Sequence, residues 1–174
     1  CTLATSNGGK QTDKFVKVRL EQPQAAPLEI SFPKVVFDKR VSVYDENGGW
    51  EKKGVWKNYI KPSRHSAMEE ERQSIYSDNP GNELIFTFEG TGVSLNGNWL
   101  RNGGKADIYL DDEFKRTIDC FFHYANQEHL NMDLYHITGL APGKHILRVV
   151  VRGENRPEAE GARVYITEAV VFKT

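Results

Sequence analysis

The sequence predicts an all-β protein built as an antiparallel β-sandwich. Short apolar-alternating runs follow one another from residue 83 to residue 174, and each run closes at a Gly, Asn, Asp or Pro turn. Strands this short, at such regular spacing, favour a sandwich over an α/β enzyme. The length of 174 residues suits one such domain, with a core large enough to fold without disulfides.

The first residues are predicted to differ from the rest of the chain. Residues 1–27 are interpreted as a leading tail, with one strand at 15–20 and a linker marked by Pro23 and Pro27. We expect this tail to be the remnant of a preceding domain. Cys1 has two interpretations, a lipid-modified N-terminus or the point at which a longer chain was cut; we favour the cut, because an apolar-alternating segment follows in place of the polar tether of a lipoprotein. The sandwich module is expected at 28–174.

Within the module, alternation and turn chemistry predict each element. Residues 83–89 form a strand with three large apolar side chains on one face. Residues 105–111 and 114–121 form a hairpin, and its Asp-rich corner lacks the glycine that a tight primed turn prefers, so a longer loop or a mild strain is expected. A capping-box pattern predicts one or two helical turns at 67–73. Further strands are predicted at 28–32, 40–44, 74–77, 93–96, 130–137, 144–152 and 163–172.

Composition and missing motifs exclude several function classes. Lys and Arg number 23 against 24 Asp and Glu, and the two signs are interspersed, which argues against nucleic-acid and lipid-surface binding. No apolar run approaches the ~20 residues of a membrane-spanning helix. The glycine-flanked serine elbow, the phosphate-binding loop and the zinc-protease helix motif are missing, so we expect no catalysis by this chain. The acids at 69–71 and at 111–112 are interpreted as solvated charge rather than as paired glycosidase carboxylates.

Two segments rich in aromatic and amide side chains indicate a sugar site. A sugar presents an apolar face that stacks on a flat ring and a rim of hydroxyls that needs fixed donors and acceptors. Residues 96–104 and 122–129 supply both, and the turns of a sandwich gather at its ends, so we expect the two segments to meet. The alternative is that Trp99 caps the core. The predicted ligand-binding residues are Asn98, Trp99, Arg101, Asn102, His123, Tyr124, Asn126 and His129.

Other chemistry-bearing residues have simpler interpretations. For Trp50 and Trp56 core packing is favoured over ligand stacking. Cys120 is interpreted as a small buried apolar residue. No cofactor is expected, apart from a structural calcium ion that Asp38 and the acidic turn at 45–48 would have the oxygen atoms to bind. The arginines of the loop at 152–158 are interpreted as solvated, or as a clamp for an acidic sugar.

Three sequence landmarks carry a family resemblance, at 82–93, 104–111 and 140–147. Their strand and turn pattern resembles the galactose-binding-like jelly rolls, of carbohydrate-binding-module type, that accompany polysaccharide-active enzymes of bacteria. The resemblance implies a jelly roll, a secreted, periplasmic or cell-surface location, and a non-catalytic module that binds glycan. The alternative it implies is a module that braces a neighbouring catalytic domain without binding sugar.

A second, weaker resemblance concerns the segments 7–10 and 27–32. They are similar to the end of an ADP-ribosylglycohydrolase-like catalytic domain that runs into its C-terminal module. The implied partners of the chain are therefore a carbohydrate and a neighbouring catalytic domain, either a glycoside hydrolase or an ADP-ribosylglycohydrolase-like one.

Overall fold

The computed structural model describes residues 34–61, 72–123 and 129–173. Within these ranges every regular element is a β-strand, and the strand pairs are antiparallel, which confirms the all-β prediction. The strands are β1 (Val36–Ser42), β2 (Trp50–Lys53), β3 (Lys57–Lys61), β4 (Arg72–Ser77), β5 (Glu83–Trp99), β6 (Lys105–Leu110), β7 (Glu113–Asp119), β8 (His129–Val151) and β9 (Val164–Lys173). The described residues include no helix long and apolar enough to cross a membrane.

The two longest strands, β5 and β8, belong to both layers of the sandwich. In the first layer, the beginning of β5 pairs with β2 and with the end of β8, which in turn pairs with β6. In the second layer, the end of β5 pairs with the beginning of β8 and with β9. The remaining strands extend these layers. In the first layer β7 pairs with β6. In the second layer β1 and β4 pair with β9, and β3 pairs with β4. One apolar cluster is shared by side chains from both halves of β5, so the layers enclose a common core.

Glycine allows β5 to pass from one layer to the other. A Cβ atom on Gly90 would lie 2.6 Å from the Phe172 carbonyl oxygen, and one on Gly92 would lie 2.7 Å from the Ile137 carbonyl oxygen. Neighbouring backbone therefore comes too close for any side chain at these positions. The pairing with β8 shifts register at this point, so the predicted turn at 90–92 is instead a bend inside one continuous strand. The strands predicted separately at 130–137 and 144–152 are likewise parts of one strand, β8.

The core face predicted for β5 is confirmed, and so is the core packing predicted for Trp50 and Trp56. Residues 84, 86 and 88 are at most 3% exposed, and alternate with less buried neighbours. The Trp50 ring lies 4.4 Å from the Phe86 ring, measured between centroids. Trp56 donates its indole N–H to a backbone carbonyl of β5 at 3.0 Å, and both indoles pack against the core. The core-packing interpretation of these tryptophans is therefore correct.

The β6–β7 hairpin accepts strain rather than a longer loop. Asp111 and Asp112 form a two-residue turn with φ values of 52° and 65°, in the left-handed region that glycine prefers. The Asp111 carboxylate compensates by accepting the Ile146 backbone N–H at 2.8 Å and by bonding His145 Nδ1 at 2.7 Å. These bonds tie the turn to β8. Of the two alternatives that the sequence left open, the strained turn is the one adopted.

Several predicted boundaries need correction. The helical turns predicted at 67–73 cannot include Arg72 and Gln73, which begin β4; residues 67–71 lie outside the described residues. Strands β2 and β3 were not predicted, because their mostly exposed polar residues lack apolar alternation. Strand β1 begins four residues before the predicted start at residue 40. The predicted tail at 1–27 and the predicted strand at 28–32 lie outside the described residues.

Candidate functional site

The two segments predicted to form a sugar site lie side by side. Trp99, the last residue of β5, is directly opposite His129, the first residue of β8. The Phe122 backbone N–H donates to the Leu100 carbonyl oxygen at 3.0 Å, and the Leu100 N–H donates to the Cys120 carbonyl oxygen at 3.0 Å. These bonds hold the second segment against the first. We use the name Trp99 rim for Trp99 and its neighbours on these two segments, namely Arg101, Asn102, Phe122 and His129.

At the centre of this rim, Trp99 is half-buried and His129 is partly buried beside it. Trp99 packs against the core cluster and is not enclosed by it, so it combines a core-capping role with a partly exposed ring. The His129 ring lies 3.9 Å from the Phe122 ring, measured between centroids, at an interplanar angle of 56°. His129 Nε2 is buried and makes no hydrogen bond with the described residues. The sequence interpretation did not single out Phe122, although an aromatic residue beside His123 was a signal for it.

The sequence predicts Asn98 as a ligand contact, but in the structure its side chain is buried. Its side chain is 4% exposed, and its amide is used within the protein. Nδ2 donates to Ser74 Oγ at 3.0 Å, and Oδ1 accepts the Asn131 backbone N–H at 3.0 Å and the Thr167 hydroxyl at 3.4 Å. Because Asn131 is two residues after His129, Asn98 fixes the start of β8 next to the end of β5. Its position indicates a supporting residue behind the Trp99 rim, not a surface for a ligand.

Arg101 and Asn102 lie on the turn that follows Trp99, and each is partly engaged. Arg101 Nε bonds a Glu160 carboxylate oxygen at 2.7 Å, with the arginine side chain 38% exposed. Asn102 Oδ1 accepts the Tyr165 hydroxyl at 3.1 Å. These contacts orient the two side chains and leave the terminal guanidinium nitrogens of Arg101 without a hydrogen bond among the described residues.

The remaining predicted contacts are only partly described. His123, near the start of the second segment, is exposed. Tyr124 and Asn126 lie outside the described residues, as does the acidic run at 69–71. The predicted site therefore rests on the described part of the Trp99 rim.

The arginines proposed as an acidic-sugar clamp are paired with carboxylates. Arg152 bonds Asp107 at 3.1 Å and Glu154 at 3.0 Å. Arg156 bonds Asp119 at 2.5 Å. Since these charges are already neutralised by close partners, the loop has no converging set of open cationic donors. The geometry favours the solvated-loop interpretation.

The predicted calcium ligands are also used elsewhere. Asp45 Oδ1 accepts the Asn47 backbone N–H at 3.0 Å, and Asp38 Oδ1 bonds Lys173 Nζ at 3.1 Å. In the described part of the chain, no group of three or more His, Cys, Asp or Glu side chains is arranged to hold a metal ion. Cys120 is fully buried as predicted, and burial raises the pKa of its thiol to about 12. At neutral pH this thiol is therefore neither a nucleophile nor a metal ligand.

Comparison with known proteins supports the fold. No protein-family model matches the chain. Part of a two-domain esterase active on acetylated mannans superimposes with a TM-score of 0.57 and 13% identity, over 89% of this chain and 41% of the esterase. The chain has the fold of that part of the esterase. The predicted resemblance to accessory β-sandwiches of polysaccharide-active enzymes is thus confirmed at the level of fold.

Two further proteins are similar to this chain. The CBM36-1 domain of a multidomain xylanase, from a Trinervitermes trinervoides hindgut metagenome, aligns over 78% of this chain and 96% of that domain, with 15% identity and a TM-score of 0.45. The "A type blood alpha-D-galactosamine galactosaminidase" of Flavonifractor plautii is 22% identical over 135 residues, which is 78% of this chain. The chain spans only 11% of that galactosaminidase.

Proposed function

We propose that this chain is a non-catalytic carbohydrate-binding module whose glycan ligand lies against Trp99. The observation that carries the proposal is the cross-strand pair of Trp99 and His129, in which a partly exposed indole lies opposite a histidine. Such a pairing of one flat ring with a few oriented polar groups is what a sugar ring requires.

Each residue of the Trp99 rim has a separate role in this proposal. The indole stacks on the apolar face of one sugar ring. Arg101 and Asn102 donate to its hydroxyls with the nitrogens that their contacts to Glu160 and Tyr165 leave open. Asn98 positions the rim from behind. His123, Tyr124, Asn126 and His129 remain predicted contacts on the second segment.

The names of the relatives support carbohydrate as the ligand class. One relative is an esterase active on acetylated mannans and another is a galactosaminidase. In this proposal the parent protein is a carbohydrate-active hydrolase, and the chain works outside the cytoplasm, as secreted or cell-surface glycan-degrading enzymes do. The catalytic step belongs to a neighbouring domain.

A second candidate function is docking on such a catalytic domain without sugar binding. The observation that favours it is a set of exposed apolar side chains, including Phe37 at 55%, Val55 at 58% and Phe114 at 51% exposure. Exposed apolar groups of this size are common at contacts between domains. Under this alternative the partly exposed Trp99 belongs to the same contact.

Affinity electrophoresis through gels that contain mannan, xylan or galactan separates the two functions. We expect one polysaccharide to retard the wild-type chain, and Trp99→Ala to weaken that binding about fivefold, because aromatic stacking contributes about 1 kcal/mol beyond area burial. The control Phe114→Ala also removes an exposed ring, but on the β6–β7 hairpin, and should bind normally. Normal binding by Trp99→Ala would eliminate the Trp99 rim as the site. No retardation of the wild type by any polysaccharide would favour docking.

A further inference from the structure

We propose a second glycan-contact surface on the outer side of the layer that contains β1, β9, β5 and β8. The proposal shares its ligand class with the proposed function, but it uses different residues from the Trp99 rim. On β5, Val93 and Leu95 point into the core, so the intervening Ser94 and the following Asn96 lie on the outer side, where Ser94, at 9% exposure, and its β9 partner Val170, at 6%, form the floor beneath longer side chains. We call this surface the Glu168 face; its residues are Arg40, Ser94, Asn96, Asn131, Asp133, His136 and Glu168.

Three strands converge on a single carboxylate oxygen at this face. Glu168 Oε1 accepts hydrogen bonds from Arg40 Nη1 at 2.6 Å, Asn131 Nδ2 at 3.1 Å and Asn96 Nδ2 at 3.2 Å. The Glu168 side chain is only 14% exposed, whereas that of Arg40 is 58% exposed. Surface ion pairs on a sheet usually join two flexible side chains, and few of them are held by additional partners. Here the carboxylate is fixed from three neighbouring strands.

A second set of bonds extends the network along β8. Asp133 bonds His136 Nδ1 at 2.6 Å and the Ser94 hydroxyl at 3.2 Å. The same hydroxyl lies 2.9 Å from Asn96 Oδ1 and so connects Asp133 to the Glu168 cluster. The linked groups span β1, β9, β5 and β8, three interstrand spacings or about 14 Å. A surface of this length accommodates a ligand longer than one sugar ring.

The charges of the Glu168 face indicate an uncharged, hydroxyl-rich ligand. Arg40 is paired with Glu168, and Asp133 is hydrogen-bonded to His136, so the face has no excess of positive charge that would select an anionic ligand. Both donors and acceptors remain open: among the described residues, Glu168 Oε2 and the second terminal nitrogen of Arg40 make no hydrogen bond. A carboxylate and a guanidinium side by side can accept from one sugar hydroxyl and donate to the next.

The backbone at this face is held in an uncommon conformation. Asn131 has φ of 55°, in the left-handed region that a non-glycine residue seldom adopts. Its backbone N–H is held by Asn98 Oδ1 at 3.0 Å and its side chain by Glu168 at 3.1 Å. The network thus fixes its groups before any ligand arrives, which lowers the entropic cost of binding.

The test is an NMR titration of the ¹⁵N-labelled chain with mannopentaose, xylopentaose and N-acetylgalactosamine, each to about 10 mM, because isolated sugar sites often bind in the millimolar range. At least one sugar should shift the amide signals of residues 40, 94, 96, 133 and 168. Glu168→Gln should weaken this binding about tenfold with an unchanged spectrum elsewhere, and His136→Gln should weaken it by a smaller factor. Glu89→Gln, the same substitution at an exposed position of β5, is the matched control and should have no effect.

The outcomes separate this inference from the proposed function. Shifts at the Glu168 face that persist in Trp99→Ala support the second surface. Shifts confined to residues of the Trp99 rim overturn the second surface and leave the proposed function intact. Shifts confined to the Glu168 face support the second surface and overturn the Trp99 rim. A titration in which no sugar shifts any signal overturns both.

Discussion

Replacement of Asn98 by alanine should destabilise the fold by far more than a typical polar substitution. The Asn98 side chain is 4% exposed and makes two hydrogen bonds of 3.0 Å, to Ser74 Oγ and from the Asn131 N–H. Its removal leaves the hydroxyl of Ser74, a residue at 2% exposure, with a 3.5 Å bond to the Tyr59 carbonyl oxygen as its remaining contact among the described residues, and leaves the Asn131 N–H without its partner. Loss of a buried group's partner costs about 1–3 kcal/mol, and the bond to the N–H of the exposed Asn131 contributes about 1 kcal/mol. The Thr167 contact at 3.4 Å contributes little, so we expect a total near 3 kcal/mol.

Urea unfolding followed by tryptophan fluorescence measures this cost, provided that the slope of the transition is unchanged. Asn96→Ala is the matched control, since it is the same substitution two residues earlier on β5, at a partly exposed site whose hydrogen-bond partners, Ser94 and Glu168, keep other bonds. We expect the control to lose about 1 kcal/mol. A loss for Asn98→Ala of about 1 kcal/mol or less, or one equal to that of the control, would refute the argument that Asn98 anchors the start of β8.

Three further predictions concern the hairpin and the core. A hydrogen bond to Asp111 raises the pKa of His145 above 6.5, so this bond stabilises the fold fully below pH 6.5 and is lost as the pH rises through the folded-state pKa. The urea midpoints at pH 6 and pH 8 should therefore differ more in the wild type than in His145→Gln, and equal differences would contradict this. Asp112→Gly should stabilise the chain by about 0.5–1 kcal/mol in the same assay, because Asp112 has φ of 65° and a 95% exposed side chain. Destabilisation by this substitution would show that the turn is not strained. Peptide mapping after iodoacetamide treatment at pH 8 should find Cys120 unmodified in the folded chain and modified in urea, because burial raises its thiol pKa to about 12. Rapid modification of Cys120 in the folded chain would contradict its burial.

The fold class was predictable because the strongest signals lie on half-buried strands. Residues 83–89 and 144–152 alternate between core and surface, and both segments are strands in the structure. The edges were harder to predict. Within residues 34–61, 72–123 and 129–173, strand β3 pairs only with β4, so its register depends on a partner strand and not on an apolar face of its own. Tertiary pairing also merges 83–89 with 93–96 into one strand, because glycine permits a bend where the sequence indicates a turn.

The candidate site was predictable in part. The sequence identified the two segments that meet at Trp99, since turns of a sandwich gather at its ends. It did not distinguish Asn98, whose amide is buried, from Asn102, whose amide lies on a turn, because burial of a polar side chain depends on strands far away in sequence. The Glu168 face was not predicted for the same reason: Arg40 and Glu168 are 128 residues apart and converge only through the β1–β9 pairing.

The central claim is that Trp99, and not the two core tryptophans, contacts the ligand. The most direct test follows the indole N–H signals of the ¹⁵N-labelled chain while the polysaccharide fragment that retards it is added, with the Trp99 signal identified from a Trp99→Phe spectrum. We predict that the Trp99 signal moves, and that the signals of Trp50, whose ring packs on Phe86, and of Trp56, whose indole N–H is bonded to the Glu83 carbonyl, stay in place. Movement of a core signal instead, or binding with no change in any of the three, would contradict the account.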